Sequence, residues 1–184
     1  MFSSKQEFSL TQILSKEEIH QRVEELAGEI ESFYKEDKPL LVGVLKGSFV
    51  FLSDLLRCLP SDYMLDFMAV SSYSGDSSSG AVEIRLDLRE DIFQRNVLLV
   101  EDVVDTGLTL SYIYRTLLAR SPFSLRVVTL LLKVDSYRAD VPIDFVGFKI
   151  PSRFVVGYGM DIDEKFRGLP YIASIEPSIK APKE

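Results

Sequence analysis

An α/β fold with a mostly parallel central sheet flanked by helices follows from three stretches of the chain. VLLVEDVVDTGLTL at 97–110 reads as a short buried strand, an acidic turn and the start of a helix. LRVVTLLL at 125–132 supplies the next strand, so strand 97–101, helix 108–120 and this run form a β-α-β unit whose crossover requires parallel strands. LLVGVL at 40–45 is an apolar run without alternation, the pattern of a strand covered on both faces.

In chain order, the first long element is an amphipathic helix. Ser15 and Glu18 have capping-box spacing, and Ile19, Val23, Leu26, Ile30 and Phe33 recur at helical intervals. After the 40–45 strand come Lys46, Gly47 and Ser48, then FVFLSDLLRCL as a helix. A strand at 65–70 leads into SSYSGDSSSG at 71–80, whose small polar residues cannot pack a core and predict a loop. Val82, Ile84, Leu86 and Leu88 then alternate with polar neighbours, as in a strand with one wet face, so loop and flanking strands read either as a flap or as a plain flexible connector. Beyond residue 140, DFVGFKI, FVVG and YIASI are short strands punctuated by Pro151, Gly157, Gly159 and Pro170, too close together for intervening helices. The tail EPSIKAPKE is expected to be loose.

With 184 residues, 46% of them hydrophobic, the chain fits one domain of ordinary size. Its net charge of −7 argues against non-specific attraction to nucleic acid or anionic membranes, so any phosphate site must be built locally. No apolar run approaches the roughly 20 residues that span a bilayer, and a soluble, cytoplasmic protein is expected. The single Cys58 lies in an apolar run and reads as a small buried thiol, consistent with a reducing compartment. His20, the sole histidine, reads as solvated or packed, because no other ligand type stands near it at metal-binding spacing.

The chemistry concentrates at 101–109. One acid in that place would be an ordinary helix cap. Glu101, Asp102 and Asp105 together, beside a dry strand, need compensating cations or a ligand. Thr106, Gly107 and Thr109 can present hydroxyls and backbone N–H groups as an anion cradle at a helix N-terminus. In open α/β sheets, ligands bind outside the carboxyl ends of the strands, where this segment stands.

The same segment resembles the phosphoribosyl-pyrophosphate signature of type I phosphoribosyltransferases. LVGVLKGSFVFLSDLLR, the SSY that begins the loop, Lys133 and DFVGFKIPSRFVVGYGMDIDEKFRGLPYI extend the resemblance to bacterial hypoxanthine phosphoribosyltransferases over nearly the whole chain. The resemblance implies one phosphoribosyltransferase domain over 1–184, with a core at about 35–140 and a small hood built from about 1–15 and 141–184. It also implies magnesium-dependent transfer of the phosphoribosyl group from 5-phosphoribosyl 1-pyrophosphate to N9 of hypoxanthine or guanine, a purine-salvage reaction, and a homo-oligomeric assembly, dimer or tetramer.

Residue by residue, the resemblance makes Glu101 and Asp102 ribose and magnesium ligands and Asp105 the general base near purine N7. Thr106, Gly107, Leu108 and Thr109 complete the phosphate cradle, with Leu108 standing where some relatives carry lysine. Lys46, Gly47 and Arg167 would meet pyrophosphate, the bond before Lys46 being cis, and Ser72 and Tyr73 would close over the reaction. Lys133 would donate to the 6-oxygen, Phe154 would stack on the purine, the Val155 backbone would read its edge, and Asp161 would be a second magnesium ligand. The turn VDSYRAD after Lys133 is less basic than in many bacterial relatives, and the resemblance implies Arg138 as the substitute for a family arginine there. Two other readings stay open: a regulatory RNA binder on the same fold, which the acidic balance disfavours, and a transferase for another base.

Overall fold

The structure is a computed structural model that describes residues 8–72 and 82–177. Strand β1 (Phe8–Leu14) precedes helix α1 (Lys16–Tyr34), whose capping box forms as the spacing predicts, with the Ser15 Oγ accepting from the Glu18 N–H and the Glu18 carboxylate accepting from the Ser15 N–H. Then follow β2 (Leu40–Leu45), α2 (Phe49–Cys58), β3 (Leu65–Ser72), β4 (Val82–Leu86), β5 (Asn96–Val104) and α3 (Leu108–Leu118). Strands β6 (Ser124–Lys133), β7 (Phe145–Ile150), β8 (Val155–Val156) and β9 (Ile172–Pro177) complete the order.

Six strands form one sheet in the order β4-β3-β2-β5-β6-β7, parallel except for the antiparallel edge strand β4. Alternate residues of its central strands serve opposite faces. Leu41, Leu98 and Val128 join Ile19, Val23, Leu26 and Phe51 under α1 and α2, whereas Leu40, Val42, Val97 and Leu99 pack with Leu110, Ile113 and Leu117 of α3. Helices therefore cover both faces, and the double coverage explains the uninterrupted apolar runs at 40–45 and 97–100. From β2 the chain steps outward to β3 and later returns to place β5 on the other side of β2. That reversal makes the carboxyl ends of β2 and β5 the topological switch point, where a crevice opens in such sheets.

A second sheet, β1-β9-β8, is antiparallel, and Val155 of β8 faces the cleft at those carboxyl ends. Its strands fall within residues 1–15 and 141–184, whereas β7, also within 141–184, pairs in parallel with β6 and is the edge of the large sheet. β1 was not foreseen as a strand. The acidic segment also differs from expectation, because β5 runs on to Val104 instead of ending near 101. Val103 and Val104 keep pairing with Leu131 and Leu132, so Glu101 and Asp102 sit within the strand and the turn shortens to 105–107. Cys58 is half-buried, less enclosed than expected, and His20 is exposed beside Glu24 at 3.4 Å, as a solvated histidine should be. No helix among the described residues is long and apolar enough to cross a membrane.

Candidate active site

A cleft of about 720 Å³ opens at the switch point. It is lined from β2 and its loop by Lys46 and Gly47, and from β5 and the following turn by Glu101, Asp102 and Asp105–Thr109. β6 adds Lys133, and the hood adds Phe154, Val155, Asp161 and Arg167. All fourteen are residues the sequence nominated. Of the other two, Ser72 ends β3, where its backbone pairs with Val82, and Tyr73 lies outside the described residues.

Backbone geometry explains two glycines. Gly47 approaches Asp102 so closely that a Cβ there would overlap its carboxylate, which holds the β2 loop against the end of β5. Gly107 is the N-cap of α3 with φ of +84°, a left-handed conformation that glycine adopts without penalty, and a Cβ there would collide with Tyr137 and Ala139. The Leu45–Lys46 peptide is cis, as the resemblance implies.

The three acids of the signature differ in environment. Glu101 is buried, and burial first, then the neighbouring Asp102, pushes its carboxyl well above the usual range. Asp102 is pushed up to about 6 by burial, partly offset by backbone amides of Val103 and its own residue and by the charge of Arg167. Asp105 shifts the other way. Lys133 Nζ lies 2.7 Å from its Oδ2 and the Ser136 hydroxyl donates to its Oδ1, and these two contacts, Lys133 foremost, hold the carboxyl below its ordinary value.

Hood cations are held by hood acids. Arg167 donates to the Gly159 carbonyl at 2.8 Å and pairs with Asp161 at 2.8 Å and Glu164 at 3.1 Å. Glu164 also pairs with Lys46 at 3.0 Å, so one exposed carboxylate joins the two side chains expected to meet pyrophosphate. Asp161 accepts from the Glu164 N–H at 2.9 Å, which leaves both of its oxygens engaged.

Among the described residues no three His, Cys, Asp or Glu gather into a metal cage. The pair Glu101 and Asp102, with no cationic side chain in ion-pair contact among the described residues, suits magnesium, which binds through one or two carboxylates and completes its shell with substrate oxygens and water.

Sequence reasoning missed three residues. Glu164 stands three positions before Arg167, and that spacing was a usable signal. Arg85 reaches the cleft from the wet face of β4, where its Nε donates to Ser71 Oγ at 3.0 Å; only the β3–β4 pairing puts it there. Ser136 belongs to the divergent turn after Lys133. That turn does make contacts: the Arg138 N–H donates to the Thr106 carbonyl at 3.2 Å, and Tyr137 and Ala139 pack on Gly107. The Arg138 guanidinium caps its own turn by donating to the carbonyls of Asp135 and Tyr137.

Comparison with known proteins agrees with this geometry. The family model described as a phosphoribosyl transferase domain matches residues 9–163. The hypoxanthine-guanine phosphoribosyltransferase of Mycobacterium tuberculosis is 50% identical over 174 residues, 91% of this chain and 86% of that protein. The enzyme of that name from Bacillus subtilis is 44% identical over 91% of this chain and 93% of its own length. A crystal structure of a hypoxanthine phosphoribosyltransferase from Staphylococcus aureus superposes with a TM-score of 0.86 at 41% identity, covering 93% of this chain and 94% of the other. With a parallel sheet, a cleft at its switch point and an acidic strand running into a glycine-capped helix, the chain belongs to the phosphoribosyltransferase family.

Proposed function

We propose that the protein is a purine-salvage enzyme that transfers the phosphoribosyl group of 5-phosphoribosyl 1-pyrophosphate to N9 of hypoxanthine, guanine or both, releasing pyrophosphate. The observation that carries the acceptor is the Lys133–Asp105 pair at 2.7 Å on one side of the cleft. A 6-oxopurine presents an acceptor, O6, beside an N7 that carries a proton in one tautomer, and a cation next to a carboxylate complements that edge. Adenine would set an amino donor against the ammonium, two donors facing each other with no acceptor between them. Phe154, half exposed at the cleft rim, is suited to stacking on the base, and the backbone of Val155, in β8, to reading its edge.

Departure of pyrophosphate leaves positive charge on the ribose ring, which Glu101 and Asp102 would stabilise from the floor of the cleft. As N9 attacks, the imidazole part of the base becomes more acidic at N7. Asp105, kept anionic by Lys133, accepts or shares that proton. The 5-phosphate is assigned to the turn Asp105–Thr109, where Thr106 and Thr109 carry hydroxyls and the N-terminus of α3 offers backbone N–H groups. Lys46, Gly47 and Arg167 are assigned to pyrophosphate, with Ser72 and Tyr73 closing the site. Magnesium would be held by Glu101 and Asp102, with Asp161 as a second ligand, and would supply positive charge that keeps the acids ionised beside the substrate oxygens. The proposal further takes residues 1–184 as one domain, the assembly as a homo-oligomer and the location as cytoplasmic, where the thiol of Cys58 stays reduced.

A steady-state assay with magnesium and 5-phosphoribosyl 1-pyrophosphate against hypoxanthine, guanine, xanthine, adenine and uracil tests the reading. Turnover of hypoxanthine or guanine and rejection of adenine and uracil are expected, and no turnover of any base would refute it. Lys133→Ala should lower kcat/KM for 6-oxopurines by roughly 100-fold or more, the scale for a lost buried donor to substrate. Unchanged kinetics would remove Lys133 from the base site.

A further inference from the structure

We propose that Ser136 is a positioning residue for Asp105, fixing the face that its carboxylate turns toward the base. This rests on the reading of Asp105 as the group that meets N7. A carboxylate held by one partner can still rotate about its terminal torsion, which is broad and shallow. Here Lys133 holds Oδ2 and the Ser136 hydroxyl holds Oδ1, so the two contacts fix the plane of the group. Ser136 has one proton to give. Its other acceptor within reach, the Lys133 carbonyl at 3.4 Å, is neutral and at the limit of a hydrogen bond, so the anionic Asp105 takes the proton.

The backbone delivers the hydroxyl with little freedom. The Ser136 and Tyr137 N–H groups both donate to the Lys133 carbonyl, at 3.3 and 3.1 Å, which folds the turn back onto the end of β6. The Arg138 N–H then ties that turn to the Thr106 carbonyl beside Asp105. Residues 133–139 therefore carry both anchors of the carboxylate, and the serine is the one without a role of its own in binding substrate.

Substitution to alanine removes only the hydroxyl. Ser136→Ala should lower kcat roughly tenfold, the scale of one hydrogen bond to a charged group, while KM for 5-phosphoribosyl 1-pyrophosphate stays within about twofold. Ser136→Thr, which keeps the hydroxyl, should recover most of the loss. In an Asp105→Asn background, Ser136→Ala should cost little more, because the group it positions has already changed. If Asp105→Asn lowers kcat but Ser136→Ala does not, or if Ser136→Ala acts with equal force in the Asp105→Asn background, the positioning role is overturned and the reading of Asp105 stands. If Asp105→Asn keeps full activity, the reading of Asp105 itself fails.

Discussion

Asp102 and Asp105 are the same residue type three positions apart, and their surroundings drive them in opposite directions. Asp102 lies in β5, flanked by buried Glu101 and pressed by Gly47, and burial raises its carboxyl to about 6. Asp105 stands just beyond the strand, where Lys133 and Ser136 hold both oxygens and lower it. One site thus contains a reserve of destabilised negative charge and one settled anion. The first is suited to stabilising cationic groups that arrive, a metal or a developing sugar cation. The second is suited to accepting a hydrogen bond from the base.

Chemistry at Asp105 gives the largest way to break this contrast. Asp105→Asn keeps the shape, removes the anion, and should lower kcat by about 10²–10⁴-fold, the range for a lost general base, read by steady-state assay. Next in size is the response to metal. If Glu101 and Asp102 form the metal pair, magnesium at about 100 times its dissociation constant should stabilise the wild type by about 2.7 kcal/mol in denaturant unfolding. That gain should vanish in the Glu101→Gln, Asp102→Asn double variant.

Smallest is a stability effect with a defined pH sign. The raised carboxyl of Asp102 binds its proton more tightly folded than unfolded, so ionising it costs stability once the pH rises from about 4 through about 6. Asp102→Asn should therefore stabilise the metal-free protein at pH 7 by about 1–3 kcal/mol, and the gain should fade toward pH 4. A destabilised variant at pH 7 would mean that the carboxylate is compensated within the protein. Asp105 carries the opposite sign, its contribution being present at neutral pH and lost only below its ordinary range.

Local signals made most of the fold readable. The capping box of α1 and the apolar runs of β2 and β5 are properties of neighbouring residues, and they formed where expected. β1 was not readable as a strand because its partner β9 begins at Ile172, and nothing within FSLTQIL names so distant a mate. The extra length of β5 came from pairing of Val103 and Val104 with β6, which the acids at 101 and 102 masked. In the site, the nominated residues came from recognisable motifs. Arg85 and Ser136 reach it only through a hairpin pairing and a turn that folds back, so their positions depend on tertiary structure.

A carboxyl-carbon NMR titration of Asp102 and Asp105 in the metal-free protein tests the contrast most directly. Asp102 should titrate near pH 6 and Asp105 below the ordinary aspartate value, so that around pH 5 one is protonated and the other ionised. Coincident midpoints, or Asp102 titrating below Asp105, would contradict the division of roles between the two acids.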